Sequence, residues 1–209
     1  FNAEPPSHPI AKPLQRVVHD HNLRREYFDA LIEARAVDIT KSPPEFLDDF
    51  IRYGAGTTVP LVLLALDILG LADERVLSVA RDAATAWAMT GLMRALPFNL
   101  RKRRNYLPTK MMAEYGVDTQ SVGELRPTQE LAGLIQSISK VADSKLVAVR
   151  KERGVIGPEF LSPLLIAPLA RQYNRRFARV AYNIFDPAFA ESPPLRAWRL
   201  VACAFMRRI

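Results

Sequence analysis

Cysteine is almost absent from this 209-residue chain, in which Cys203 stands alone. An intramolecular disulfide is impossible, a cysteine-based zinc site is excluded, and a reducing or redox-neutral compartment suits the protein. Histidine is nearly as scarce. Of His8, His19 and His21, the last two are separated by a single residue, so on a helix they point to different faces; a helical zinc pair sits one full turn apart. Solvated helix-end histidines are the better reading, and a Ser-His-Asp or Cys-His site has nothing to recommend it. Long apolar runs are missing as well: the longest, Val59 to Leu66, stops at Asp67 and is too short to span a bilayer. No stretch sustains the alternation of a β-strand, which excludes a sheet. Gly54-Ala55-Gly56-Thr57 lacks the later Gly-Lys-Ser/Thr of a phosphate loop and follows no strand, so it marks a helix kink or a close approach of another backbone. No secretory signal is visible. The chain starts at Phe1 rather than Met, so it reads as a processed or partial chain with any targeting segment upstream.

Acid is in deficit. Against 29 Lys and Arg stand 22 Asp and Glu, a formal net charge of +7, which favours acidic partners such as anionic lipid heads, RNA or acidic protein surfaces. Hydrophobic residues at 49% and charged residues at 24% are globular proportions and argue against disorder.

What is present is helix. The first nine residues, with Pro5, Pro6 and Pro9, read as an extended leading segment. A short helix is expected over Lys12 to His21, and a longer one over Leu23 to Val37 with Leu23, Tyr27, Ala30, Leu31 and Ala34 as its stripe. A helix from Pro44 to Tyr53 is loosened by Gly54, Gly56 and Pro60 and resumes to Leu69. Asp73-Glu74 opens the next, which Pro97 stops after Leu96. Asn99 to Asn105 is expected as a basic loop, Pro108 opens a short helix, and Asp118 to Leu125 is another loop. Pro127 starts a long helix whose stripe is Leu131, Leu134, Ile135, Ile138, Ala142 and Val149. Phe160 to Arg179 is a helix kinked at Pro168, and Leu195, Trp198, Ala202 and Phe205 form the stripe of the last. The fold class is all-α, one domain over residues 1–209.

Two charged clusters invite chemistry. Asp48-Asp49 is adjacent rather than spaced by a helical turn, with Arg52 and Tyr53 where a partner carboxylate would stand, so it reads as a solvated helix face. Arg101-Lys102-Arg103-Arg104, flanked by Arg94 and Lys110, is the densest charge cluster; four consecutive cations need counter-charge or full hydration. Contact with acidic lipid, RNA or protein and a plain solvated loop both remain open for it.

The run from Met89 to Pro108, MTGLMRALPFNLRKRRNYLP, resembles the second aspartate-rich signature of squalene and phytoene synthases. That signature has the form L-T-N-I-x-R-D-x-x-x-D, a basic stretch, then Y-L-P. Thr90, Arg94 and Tyr106-Leu107-Pro108 match without a gap. The resemblance implies metal-binding aspartates at Ala95 and Asn99, where alanine has no ligand atom and asparagine only a neutral carbonyl. Pro97 between them is expected to break the helix that displays the pair. The segment beginning Tyr53-Gly-Ala-Gly resembles the family's tyrosine-and-small-residue helix, and YFDALIEARAVD, Tyr27 to Asp38, a family segment ending in arginine and aspartate. The family's first aspartate-rich motif lies upstream of that segment, so the fold is expected to lack the N-terminal helices. Pro5 to Ala11, His21-Asn22-Leu23, Ile184-Phe185-Asp186-Pro187 and Trp198-Arg199 resemble the mitochondrial branch of the complex I assembly factor 6 type.

The resemblance implies an isoprenoid-synthase-type helical bundle that has lost catalysis. It would act as an assembly factor or accessory subunit of a mitochondrial respiratory complex, complex I first, peripherally on the matrix side of the inner membrane. Tyr53, Thr57, Thr90 and Arg94 would line the vestigial pocket; Arg101, Lys102, Arg103 and Arg104 would form a basic contact surface. No catalytic residue, metal or cofactor is expected. The implied partners are subunits of that complex, with an anionic lipid such as cardiolipin in addition. Two alternatives follow it. A residual prenyl-diphosphate transferase would need carboxylates supplied from elsewhere. A component of a mitochondrial ribosome or other RNA–protein assembly would use the basic tract, but no aromatics interleave with it as a stacking platform for RNA requires.

Overall fold

A computed structural model describes residues 8–40, 42–70, 72–189 and 195–206 of the chain. Residues 1–7, most of the leading proline segment, lie outside these. Helices follow in the order α1 (Ala11–Asp20), α2 (Arg25–Thr40), α3 (Leu47–Leu69), α4 (Glu74–Arg101), α5 (Thr109–Glu114), α6 (Thr119–Gly123), α7 (Gln129–Lys151), α8 (Leu161–Leu164), α9 (Ile166–Arg179) and α10 (Arg196–Phe205). No strand occurs among the described residues.

Helix α4 is the axle of the bundle and packs against α3, α7 and α9. It is buried around most of its circumference, from Val76 and Ala80 through Ala83, Ala84, Ala86 and Met89 to Met93, Leu96 and Leu100. Alanine explains the arrangement, because small side chains let several helices approach one axis closely. Asp73 caps it, its carboxylate accepting from the Val76 amide at 2.9 Å. The stripe expected for α7 is buried along its whole length, from Leu131 to Val149.

Three expectations about helix breaks fail. Helix α4 does not stop at Pro97 but runs on to Arg101, so Ala95 and Asn99 share one helix and Asn99 to Arg101 are not loop. An interior proline costs roughly 3 kcal/mol, which burial of Leu96, Leu100 and their neighbours offsets. Helix α3 runs unbroken from Leu47 through Gly54, Gly56 and Pro60. Its glycines serve close approach instead: a Cβ on Gly56 would fall 2.7 Å from the Ala34 Cβ of α2, and one on Gly54 would fall 3.3 Å from the Ala88 Cβ of α4. The chain past Phe160 breaks at Leu165, between α8 and α9, leaving Pro168 in the first turn of α9, where a proline is tolerated.

Two segments gain or lose helix roles. Asp118 to Leu125 holds α6, capped by the Asp118 carboxylate, which accepts from the Gln120 and Ser121 amides. The stripe of α10 faces solvent: Leu195, Trp198 and Phe205 are exposed, Phe205 by 92%. Helix α3 is long and apolar enough to cross a membrane by length and composition. It is packed between α2 and α4, and its Asp67 is buried in a bidentate bond from the Arg24 guanidinium at 2.6 and 3.1 Å.

Candidate functional site

Helices α2, α3 and α4 meet side by side because Gly54 and Gly56 remove the side chains that would hold them apart. Two hollows open along this junction, one turn of α3 apart. The first is a cleft of about 590 Å³ between α2, α3 and the segment after α4, with Asp38, Tyr53, Arg104 and Tyr106 on its walls. The second is a recess of about 340 Å³ where Arg35, Thr57, Trp87, Arg94 and Ala95 converge.

Asp38 organises the first cleft. One carboxylate oxygen accepts from the Tyr53 hydroxyl at 2.7 Å and the Tyr106 hydroxyl at 2.8 Å. The other accepts from the Arg35 guanidinium at 3.2 Å, and that guanidinium also donates to the Tyr53 oxygen at 3.3 Å. The two tyrosine rings stack with centroids 5.2 Å apart. Burial alone would raise the Asp38 carboxyl; the hydrogen bonds from Tyr53, Tyr106 and Arg35 outweigh it and hold the group below the ordinary carboxylate value. Burial, and next the bond to Asp38, push the Tyr53 hydroxyl well above the ordinary phenol range, so it remains a donor.

The recess is a cationic hollow. The Arg94 guanidinium lies 4.0 Å from the centre of the Tyr173 ring, a contact generally worth about 1 kcal/mol. Trp87 tilts against the same ring. The Thr57 hydroxyl is turned back onto the Gly54 carbonyl at 3.0 Å. Beneath the recess, Thr90 is fully buried: its hydroxyl meets the Ala86 carbonyl at 2.8 Å and the Asn174 side-chain oxygen at 3.0 Å. The Asn174 amide donates onward to Asp143 at 2.9 Å. This chain ties α4, α9 and α7 together and satisfies polar groups that would otherwise be costly inside the bundle.

The residues predicted for a pocket are therefore divided. Thr57 and Arg94 line the recess, Tyr53 lines the neighbouring cleft, and Thr90 lines neither, because its hydroxyl is spent on helix packing. The basic tract divides too. Arg101, Lys102 and Arg103 are exposed at the end of α4, with the Lys102 ammonium 4.1 Å from the centre of the Phe98 ring, whereas Arg104 turns into the first cleft. Asp49, half of the acidic pair, accepts from the Phe46 amide at the start of α3 and from Arg52. Sequence reasoning named Tyr53, Tyr106 and the segment ending at Asp38 separately without joining them, and missed the Asn174–Asp143 link; beyond the Arg35–Asp38 pair on one helix face, the partners are far apart in the chain and share no spacing.

The recess does not fit a divalent cation holding a diphosphate. Ala95, in its wall, contributes no ligand atom, Asn99 is not among its lining residues, and the charged groups converging there are the guanidiniums of Arg35 and Arg94. Among the described residues no group of three or more His, Cys, Asp or Glu side chains is placed to hold a metal ion.

A bundle of long helices with hollows between them, Thr57 and Arg94 in one and Tyr106 of the Tyr-Leu-Pro segment in the next, defines the class: a protein of the squalene-synthase fold. The squalene/phytoene synthase family matches residues 1–199, and the chain belongs to that family. A solved dehydrosqualene synthase with bound ligand superposes with a TM-score of 0.80 at 19% identity, covering 98% of this chain and 71% of that one. Among curated proteins, the chain is 22% identical over 208 residues to the NADH dehydrogenase (ubiquinone) complex I assembly factor 6 of Rattus norvegicus, covering 100% of this chain and 62% of that one. It is also 23% identical over 135 residues to the 15-cis-phytoene synthase of Enterobacter agglomerans, covering 65% of this chain and 46% of that one. The chain thus spans less than two thirds of the length of these curated relatives.

Proposed function

We propose that this chain is a non-catalytic member of the family that acts as an assembly factor for mitochondrial respiratory complex I, as one helical domain placed peripherally on the matrix side of the inner membrane. The observation that carries the reading is the altered signature on α4. Thr90 and Arg94 keep their packing roles, while Ala95 and Asn99 stand where diphosphate chemistry needs two carboxylates. Similarity to assembly factor 6 over the whole chain supports the assembly role. In an assembly factor the bundle serves as a scaffold, and its outer faces do the docking.

Two measurements test it. Affinity purification of the full-length protein from mitochondria is expected to recover complex I subunits, and its removal is expected to lower assembled complex I on native gels. Incubation with farnesyl or geranylgeranyl diphosphate and magnesium is expected to yield no condensation product; formation of one would return the protein to the enzymes.

A further inference from the structure

The surface farthest in character from the Asp38 cleft is a second large hollow, about 760 Å³, formed by α7, α9 and α10. Six arginines line it: Arg150 and Arg153 from the end of α7 and just beyond, Arg171, Arg175 and Arg179 from α9, and Arg199 from α10. Among the described residues, no Asp or Glu lines it. Helix α9 explains the clustering. One face buries Ala170, Tyr173, Asn174 and Phe177 in the bundle, and the opposite face carries the arginines at helical spacing.

Six like charges around one hollow of about 760 Å³ repel one another, the more so at low salt, since screening acts over about 8 Å at physiological salt. Arg171 shows the strain most. Burial, then Arg150 and Arg175, lower its proton affinity, and its guanidinium reaches the Leu146 carbonyl at 3.1 Å rather than a carboxylate. A second observation points the same way: the buried side-chain nitrogen of Gln172, in the wall of the hollow, has no hydrogen-bond acceptor within the protein. A multiply charged oxyanion supplies what both features lack, charge for the arginines and an acceptor for the amide.

The other face of α10 says where the anion comes from. Arg199, Leu200 and Cys203 close the hollow. Trp198, Val201 and Phe205, on the opposite side of the helix, are 73%, 59% and 92% exposed. An exposed tryptophan-and-phenylalanine stripe beside clustered arginines is the pattern of a helix lying in a lipid interface.

We propose that the arginine hollow binds the phosphate headgroup of an anionic phospholipid while the outer stripe of α10 seats in the interfacial layer of the same membrane. The proposal rests on the peripheral membrane placement given above and names the surface that makes it. Vesicle binding and recovery of complex I subunits are separate readouts, so either fails without the other.

The test measures full-length protein on vesicles of phosphatidylcholine alone and of phosphatidylcholine mixed with phosphatidylglycerol, by co-sedimentation and tryptophan emission. Binding to the mixed vesicles is expected, with a blue shift that Trp198→Phe removes. The combined variant Arg175→Gln, Arg179→Gln, Arg199→Gln is expected to weaken it on the order of a hundredfold. The combined variant Arg101→Gln, Lys102→Gln, Arg103→Gln removes equal charge elsewhere and is expected to change it less than about threefold. Phe205→Ser is expected to weaken vesicle binding about tenfold and leave binding of inorganic pyrophosphate unchanged. All altered side chains are exposed, on α9, on α10, or at Arg101 and the two residues past the end of α4, and a thermal melt verifies folding of each variant. Equal losses from the two triple variants, equal binding to pure phosphatidylcholine, or pyrophosphate binding without vesicle binding each overturn the proposal. So does an RNA oligonucleotide that depends on the α9 arginines when vesicles do not bind.

Discussion

In the cleft between α2 and α3, one carboxylate accepts from two tyrosines and an arginine. In the hollow of α7, α9 and α10, six arginines face a space with no carboxylate on its walls among the described residues. The first set of charges is answered from within the chain and stiffens the fold; the second is left to be answered from outside. Polarity alone therefore does not mark a binding surface. What marks it is whether each charge already has its partner, because a satisfied network gains little from a ligand and an unsatisfied one gains much.

Four changes break or sharpen this contrast. The largest effect is expected from Gly56→Leu, which drives a side chain into Ala34 and parts the helices that form the first cleft; a loss of about 3 kcal/mol in urea unfolding is expected. Asp38→Ala strips the acceptor from Tyr53 and Tyr106 and is expected to cost about 2 kcal/mol, lowering the melting temperature by about 4–8 °C. Asp38→Asn is expected to cost less at neutral pH and to flatten the acid limb. The sign follows from linkage: the folded Asp38 value lies below its unfolded value near 3.9, so its stabilisation is present above that value and is lost as pH falls through the folded one. Melts of wild type and Asp38→Asn across the acid range check this, and parallel curves would count against the cluster. The smallest effect has the opposite sign. Arg175→Gln with Arg179→Gln is expected to raise stability by about 0.5 kcal/mol at low salt by relieving repulsion, with the gain disappearing at high salt.

Much of the bundle was legible in the sequence. The α7 stripe, the Asp73 cap and the all-helical class each depend on neighbours within a turn or two, and local spacing reports such neighbours directly. The proline breaks were not legible. Whether Pro97 ends α4 depends on how much burial Leu96 and Leu100 gain by staying helical, a quantity that belongs to other helices. Likewise the periodicity of Leu195, Trp198 and Phe205 announces an amphipathic helix without saying whether its apolar face meets a core or solvent; here it meets solvent. At the candidate site, one contiguous run pointed to Arg94, Ala95 and Asn99, but Tyr173 and Asn174, and the tyrosine partners of Asp38, come from distant segments.

The sequence by itself determined the helical class, the family and the presence of Ala95 and Asn99 in the Thr90-to-Pro108 run, because composition, period and a contiguous motif are properties of the chain in order. Only the tertiary structure decided that Thr90 is a packing residue, that Tyr53 and Arg94 face different hollows, and that arginines from three helices share one surface. Each of these depends on which groups, distant along the chain, come within hydrogen-bond or screening distance once the helices pack.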